Sequence, residues 1–281
     1  PYEDTALPGY FYRVDDSNVP RPTIIIQTGF DGTQEELYCG GAVAAVRRGY
    51  NCLTFEGPGQ GEVVREQGLP FRYDWEKVIT PVVDYALSRP EVDPDRLALF
   101  GISMGGYLAP RGAAYELRLA ALIADGGVFE PWYPIASVLA QYYDPSGGTP
   151  EGLIASIRED PDAFDQAIQE AMQESIQLDW FMGNGMFTFK VDSPSAFMLA
   201  YSQYSMEGAA QDIACPTLVI DSDHDTGMKG EPQRLYDALT CPKDFILFTA
   251  EEGAGLRCQM GAMLLAHQRI FDWLDETLST P

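Results

Sequence analysis

Histidine is scarce in this chain. Of its 281 residues only two are His, at positions 224 and 267, so a search for an imidazole base has two places to look. Positive charge is scarce as well: 18 Lys and Arg stand against 42 Asp and Glu, a formal net charge of -24. That surplus repels phosphate backbones and anionic lipid surfaces, which argues against nucleic acid and membranes as partners and leaves solubility as its simplest meaning. No apolar run approaches the roughly 18 residues of a membrane-spanning helix, and the first residues carry neither a basic region nor an apolar signal core. The expectation is a cytoplasmic protein. The five cysteines, Cys39, Cys52, Cys215, Cys241 and Cys258, are scattered, odd in number and without metal-ligand spacing. They read as free, mostly buried thiols, with no disulfide and no bound metal. No Gly-Lys-Ser or Gly-Lys-Thr follows the turn Glu56-Gly57-Pro58-Gly59-Gln60-Gly61, and no helix with a free N-terminus is expected after it. A phosphate-binding loop is therefore not expected, and no cofactor is.

Hydrophobic residues make up 46% of the chain, enough to bury one large core. Thr23-Ile24-Ile25-Ile26-Gln27 is apolar on both faces, as a central strand of a parallel sheet is. Further strands are expected at 10–14, 50–55, 97–100, 120–124, 216–221 and 245–248. Helices are expected from Glu35 to Arg48, from an N-cap at Asp74 to Ser88 with a kink at Pro81, from Tyr107 to about Glu116, from Pro232 to Leu239, and from Gly261 to Leu278. This alternation predicts an α/β fold, a mostly parallel central sheet with helices on both faces. It stops between Gly126 and Gly208, where Asp160-Pro161 and Ser193-Pro194 each read as an N-cap followed by proline at the first helical position. The expected organisation is a core domain of residues 1–127 and 209–281 with a helical lid insertion over 128–208. The lid is rich in Met and aromatics. At helical spacing many of these form its own core, and the rest can wall a pocket for a flat, apolar substrate.

The chain is organised around Leu97-Ala98-Leu99-Phe100-Gly101-Ile102-Ser103-Met104-Gly105-Gly106-Tyr107. An apolar run ends in Gly-x-Ser-x-Gly and passes into helix-forming residues, the pattern of a strand that turns sharply into a helix with Ser103 held at the turn. The loop after the central strand, Thr28-Gly29-Phe30-Asp31-Gly32-Thr33, lies where ligands of open α/β sheets bind. The backbone NH groups of Phe30 and Met104 are the candidate pair of oxyanion donors.

Over nearly its whole length the sequence resembles the α/β-hydrolase superfamily. More narrowly it is similar to the group containing 2,6-dihydropseudooxynicotine hydrolase and the fungal hydrolases that shorten polyketide chains. The stretches that carry the resemblance are Tyr2-Glu3-Asp4, Leu7 to Phe11, Gly29 to Thr33, Phe55 to Gly61, the Ser103 turn and Phe271-Asp272-Trp273-Leu274. The resemblance implies α/β-hydrolase folding, cleavage of carbon-carbon bonds beside carbonyls or of esters, and an aromatic or polyketide-like small molecule as substrate and partner, with a homodimer left open. It also implies a nucleophile, acid, histidine order. Matching places the nucleophile at Ser103 and the acid at Asp225, with Asp223 and Asp221 as alternative acids that a one-residue loop difference would bring in. Arg257 stands where the family's histidine belongs.

An arginine has no acceptor and stays protonated, so it cannot take a serine proton. Three readings follow. A divergent enzyme uses Ser103 and the fixed cation Arg257 to polarise a carbonyl or enolate, for cyclisation, elimination or carbon-carbon cleavage. A hydrolase has recruited another base, with His224, Glu130 or Asp125 as candidates, His267 reading as a packed or surface residue. The third is a catalytically silent binding protein or an inactivated hydrolase.

Overall fold

Thr23, Ile24, Ile25 and Ile26 have two faces to bury, and they do so in β2 (Arg21–Gln27), where all four are buried. The computed structural model describes residues 1–143 and 148–279. The other strands are β1 (Gly9–Tyr12), β3 (Asn51–Phe55), β4 (Val92–Ile102), β5 (Ala121–Asp125), β6 (Thr217–Ser222) and β7 (Lys243–Phe248). They form one seven-stranded sheet in the order β1-β3-β2-β4-β5-β6-β7. Only β1 runs antiparallel to its neighbour; every other pairing is parallel. Successive residues of the central strands serve opposite faces. Ile24, Ile26, Phe100 and Ile123 pack in one core with Phe271, and Ile25, Leu99 and Leu122 pack in the other with Val78 and Leu108. The first face carries α1 (Val43–Arg48) and α10 (Met263–Ser279), and the second α2 (Glu76–Leu87) and α3 (Gly105–Ala113).

Five helices lie between β5 and β6: α4 (Trp132–Tyr143), α5 (Pro150–Glu159), α6 (Pro161–Glu174), α7 (Ile176–Phe189) and α8 (Pro194–Tyr201), and α9 (Glu231–Ala238) follows β6. The expected insertion at 128–208 includes 144–147, which lie outside the described residues. Both expected caps form, the Asp160 side chain accepting from the Ala163 NH and the Ser193 side chain from the Ala196 NH, each followed by proline. Asp160→Ala is expected to cost about 1 kcal/mol of stability, the usual worth of an N-cap, measured by urea unfolding. An unchanged midpoint would show that the cap contributes nothing. Among the described residues no helix is long and apolar enough to cross a membrane.

Three local expectations are corrected. The helix expected over Glu35 to Arg48 is interrupted: a π-helical turn at Tyr38–Ala42 precedes α1, with Gly41 extended. A Cβ at Gly41 would come within 2.7 Å of Ile26 Cδ1, so the glycine lets the chain press against β2. Asp74 is not a side-chain cap, because its carboxylate binds Arg72 and Lys77 at 2.7 Å each, and α2 begins after Trp75. As expected, the helix carries Pro81 inside it and continues to Leu87. A short helical turn, Val63–Gln67, does follow the Gly57–Gly61 turn. The Glu62 NH at its start is held by the buried Glu56 carboxylate at 2.6 Å, which also accepts from the Gln34 NH at 3.0 Å.

Candidate active site

Ser103 joins β4 to α3 with φ at +63°, a left-handed conformation that non-glycine residues rarely adopt. What holds it there is the Ser103 NH donating to the Asp125 carbonyl at 3.0 Å, together with glycines at the points of closest approach. A Cβ on Gly101 would lie 1.9 Å from the Gly105 carbonyl oxygen, and one on Gly29 would lie 2.6 Å from the Met104 nitrogen. The loop after β2 and the start of α3 are therefore in direct contact, which brings Phe30 and Met104 to one place. Neither of their NH groups has an acceptor among the described residues. The loop's other polarity is pinned from behind: buried Gln60 donates Nε2 to the carbonyls of Thr28 at 3.1 Å and Gly29 at 3.0 Å. Sequence reading treated Gln60 only as part of a turn, and its role depends on a partner about thirty residues away.

Arg257 lies alongside. Its Nη1 donates to Asp225 Oδ2 at 2.5 Å, and its Nε points to Ser103 Oγ at 3.4 Å. The fork is not bidentate, because Asp225 Oδ1 already accepts from the Gly227 NH at 2.9 Å and the Met228 NH at 3.2 Å. Nη2 is left buried without a partner. The guanidinium rests on Gly126, where a Cβ would stand 3.1 Å from Nη1. Burial opposes the arginine's charge, but Cys258, Asp225 and Asp125 outweigh it and hold the guanidinium above its ordinary pKa. The line Asp225, Arg257, Ser103 thus has the layout of a catalytic triad with a permanent donor at its centre.

The other candidates are drawn elsewhere. His224 is exposed, tied only by its backbone NH to the Gly255 carbonyl, and makes no side-chain hydrogen bond among the described residues. Glu130 accepts from Arg234 at 2.7 Å and from Ser205 at 2.8 Å. Asp223 is occupied by the Ala250 NH. Asp221 accepts from its neighbour Ser222 NH at 2.7 Å. His267 bonds the Gly40 carbonyl from α10 at 3.0 Å. None of the five hydrogen-bonds to Ser103. Asp125 is buried, its carboxyl pushed up to about 6 mainly by burial, and it accepts from Gln259 Nε2 at 3.0 Å.

Against the loop after β2 stands an aromatic wall. The Phe30 ring packs against Phe71, Phe181, Phe197 and Tyr201 at centroid distances of 5.4 to 6.4 Å. Asn184 of α7 donates to the Phe30 carbonyl at 3.2 Å, joining the helical block to that loop. Burial pushes the Tyr201 phenol up while the Arg257 charge pulls it down. Trp132, Met182, Phe189, Phe197 and Tyr204 are buried in one core with the second face of the sheet, Phe189 packing on Phe71 and Tyr204 on Tyr107, whereas Trp180 and Phe187 are exposed.

Residues 29–263 match the model of the Alpha/beta hydrolase family. The chain belongs to the α/β-hydrolase family. It is 33% identical over 305 residues to the 20-hydroxy-prefusarin hydrolase FUS2 of Gibberella moniliformis, covering 99% of this chain and 68% of that protein. It is 35% identical over 266 residues to the hydrolase acrC of Aspergillus aculeatus, covering 91% of this chain and 60% of that protein. Among solved structures, 2,6-dihydroxy-pseudo-oxynicotine hydrolase superposes with a TM-score of 0.72 at 23% identity, covering 97% of this chain and 64% of that chain. In this α/β-hydrolase Ser103, Asp225 and Arg257 follow one another in the chain and meet through the Arg257 guanidinium.

Proposed function

We propose that this α/β-hydrolase acts on a carbonyl-containing small molecule of aromatic or polyketide type by a step that consumes no water, a cyclisation or an elimination. The observation that carries the reading is the 3.4 Å approach of Arg257 Nε to Ser103 Oγ. A guanidinium there gives a hydrogen bond to the serine oxygen and cannot remove its proton. The hydroxyl proton then points onward, so Ser103 acts as a donor to a substrate oxygen beside the NH groups of Phe30 and Met104. Three donors backed by a fixed cation suit an enolate or a polarised carbonyl, whose negative charge grows in the transition state. The aromatic wall around Phe30 and relatives named as fungal hydrolases support a planar organic substrate, and we assign helices α4 to α8 the role of its lid.

The test is to incubate the protein with a panel of aromatic diketones, polyketide-like esters and β-keto amides and to follow product mass. Unchanged mass, or loss of one water, is the expected result. Ser103→Ala is expected to lower turnover by on the order of 10², the usual cost of one oxyanion donor. A product heavier by the elements of water, dependent on Ser103, would return the site to hydrolysis. No conversion across the panel would make it a binding pocket.

A further inference from the structure

The segment that carries Arg257 is held in an unusual way. Cys258 and Gln259 are consecutive non-glycine residues with positive φ, +53° and +51°. Such backbone persists only where its surroundings fix it. Packing alone does not supply that fixation, because a cavity of about 250 Å3 opens beside the segment, between it and α10, lined by Asp125, Cys258, Gln259, Met260, Met263 and Ala266 among others. Backbone hydrogen bonds close the turn locally, Gln259 NH to the Leu256 carbonyl and Ala262 NH to the Gln259 carbonyl at 2.8 Å each, and the Gln259 side chain ties it to the sheet. That side chain is fully buried, and its Nε2 donates to Asp125 Oδ1 at 3.0 Å and to Ser222 Oγ at 3.2 Å.

Asp125 therefore has two attachments. Its carbonyl accepts the Ser103 NH at 3.0 Å and fixes the serine turn, while its carboxylate accepts from Gln259 and fixes the turn bearing Arg257. Ser222, the second anchor, ends β6 and lies three residues before the acid, Asp225. One buried amide thus ties together the three segments from which Ser103, Arg257 and Asp225 project. We propose that Asp125 and Gln259 are positioning residues that set the Arg257 guanidinium against Ser103, without either touching substrate. The inference deepens the functional reading above and takes from it the importance of the Arg257 to Ser103 approach.

The experiment reads that approach directly, with no substrate, so its outcome is independent of which reaction the enzyme runs. Protein labelled with nitrogen-15 at arginine gives side-chain Nε–H signals, and that of Arg257 is identified by its loss in Arg257→Lys. In the wild type this hydrogen, shielded and bonded to Ser103, is expected to exchange slowly. Gln259→Met keeps the side chain's length and removes the tie, and exchange is expected to rise at least tenfold. Asp125→Ala is expected to do the same. Asp125→Asn retains an acceptor oxygen for Gln259 and is expected to stay within about threefold of the wild type. Should Gln259→Met fail to fold, Ser222→Ala removes one anchor only and is expected to give an intermediate rise. Unchanged exchange in a folded Gln259→Met or Ser222→Ala protein would overturn the proposal. So would equal acceleration by Asp125→Asn and Asp125→Ala.

Discussion

Arg257→His is expected to give this protein a Ser103-dependent esterase activity on activated aryl esters, on the order of 10² to 10³ above that of the arginine form. The expected size follows from what a gutted triad retains: the oxyanion donors and binding alone leave about 10³ to 10⁴ over water, well short of an intact site. Here the acid is in place, Asp225 being buried and oriented by the Gly227 and Met228 amides. The NH groups of Phe30 and Met104 lack acceptors. The serine is held in its left-handed turn. An imidazole at 257 can donate one nitrogen to Asp225 and accept the serine proton at the other, the exchange that arginine blocks. Hydrolysis should be measured for the wild type, Arg257→His and Ser103→Ala/Arg257→His. A gain that survives loss of Ser103 would mean the ester is cleaved elsewhere. A folded Arg257→His protein without any gain would show that the loop holds position 257 out of reach. Any native turnover that depends on a permanent cation should fall in the same variant.

Asp125→Asn should raise stability at neutral pH by about 3 kcal/mol, and the gain should shrink as the solution is acidified. Burial lifts the carboxyl from 3.8 to about 6, against the opposing pull of the Gln259 hydrogen bond and the Arg257 charge. A shift of this size is worth about 3 kcal/mol. The direction follows from linkage. Below the unfolded value of 3.8 the group is protonated in both states and no penalty exists. Between 3.8 and about 6 the unfolded chain loses the proton while the folded one retains it, so the folded state falls progressively behind. Above about 6 both are ionised and the full penalty for a buried charge remains. Urea unfolding of wild type and Asp125→Asn at pH 7.5, 6.0 and 4.5 checks this. A pH-independent difference, or a less stable variant at pH 7.5, would show that the carboxylate is better solvated than its burial implies.

The parts of this molecule that sequence made legible are those whose cause is local. The isoleucine run of β2 declares a strand buried on both faces, the Gly-x-Ser-x-Gly turn declares its own geometry, and Asp160-Pro161 and Ser193-Pro194 declare helix starts. Arg257 could be singled out because matching to a family pattern supplies a distant coordinate that composition does not. What stayed hidden depends on partners far along the chain. Gln60 and Gln259 are unremarkable glutamines until folding places carbonyls or a carboxylate at their amides. Asp74 fits an N-cap by type, but Arg72 and Lys77 compete for its oxygens and win. Likewise the Arg257 to Asp225 pair is one-pronged because the Gly227 and Met228 amides hold the other carboxylate oxygen, a contest between backbone and side chain that no spacing rule announces.

The contact between Ser103 and Arg257 spans 154 residues, and this separation has a consequence in time. At a synthesis rate of about 5 to 20 residues per second, the arginine is added roughly 8 to 30 s after the serine. Strands β2, β4 and β5, which shape the turn around Ser103, all precede it in the chain. During vectorial synthesis Ser103 and the strands around its turn are therefore made before the guanidinium that approaches the serine oxygen. Asp225, made in between, waits without its guanidinium. The cation is the last of the three to arrive, so a ribosome that stalls or a protease that cuts before residue 257 releases a chain that has Ser103 and Asp225 and lacks the guanidinium that lies between them.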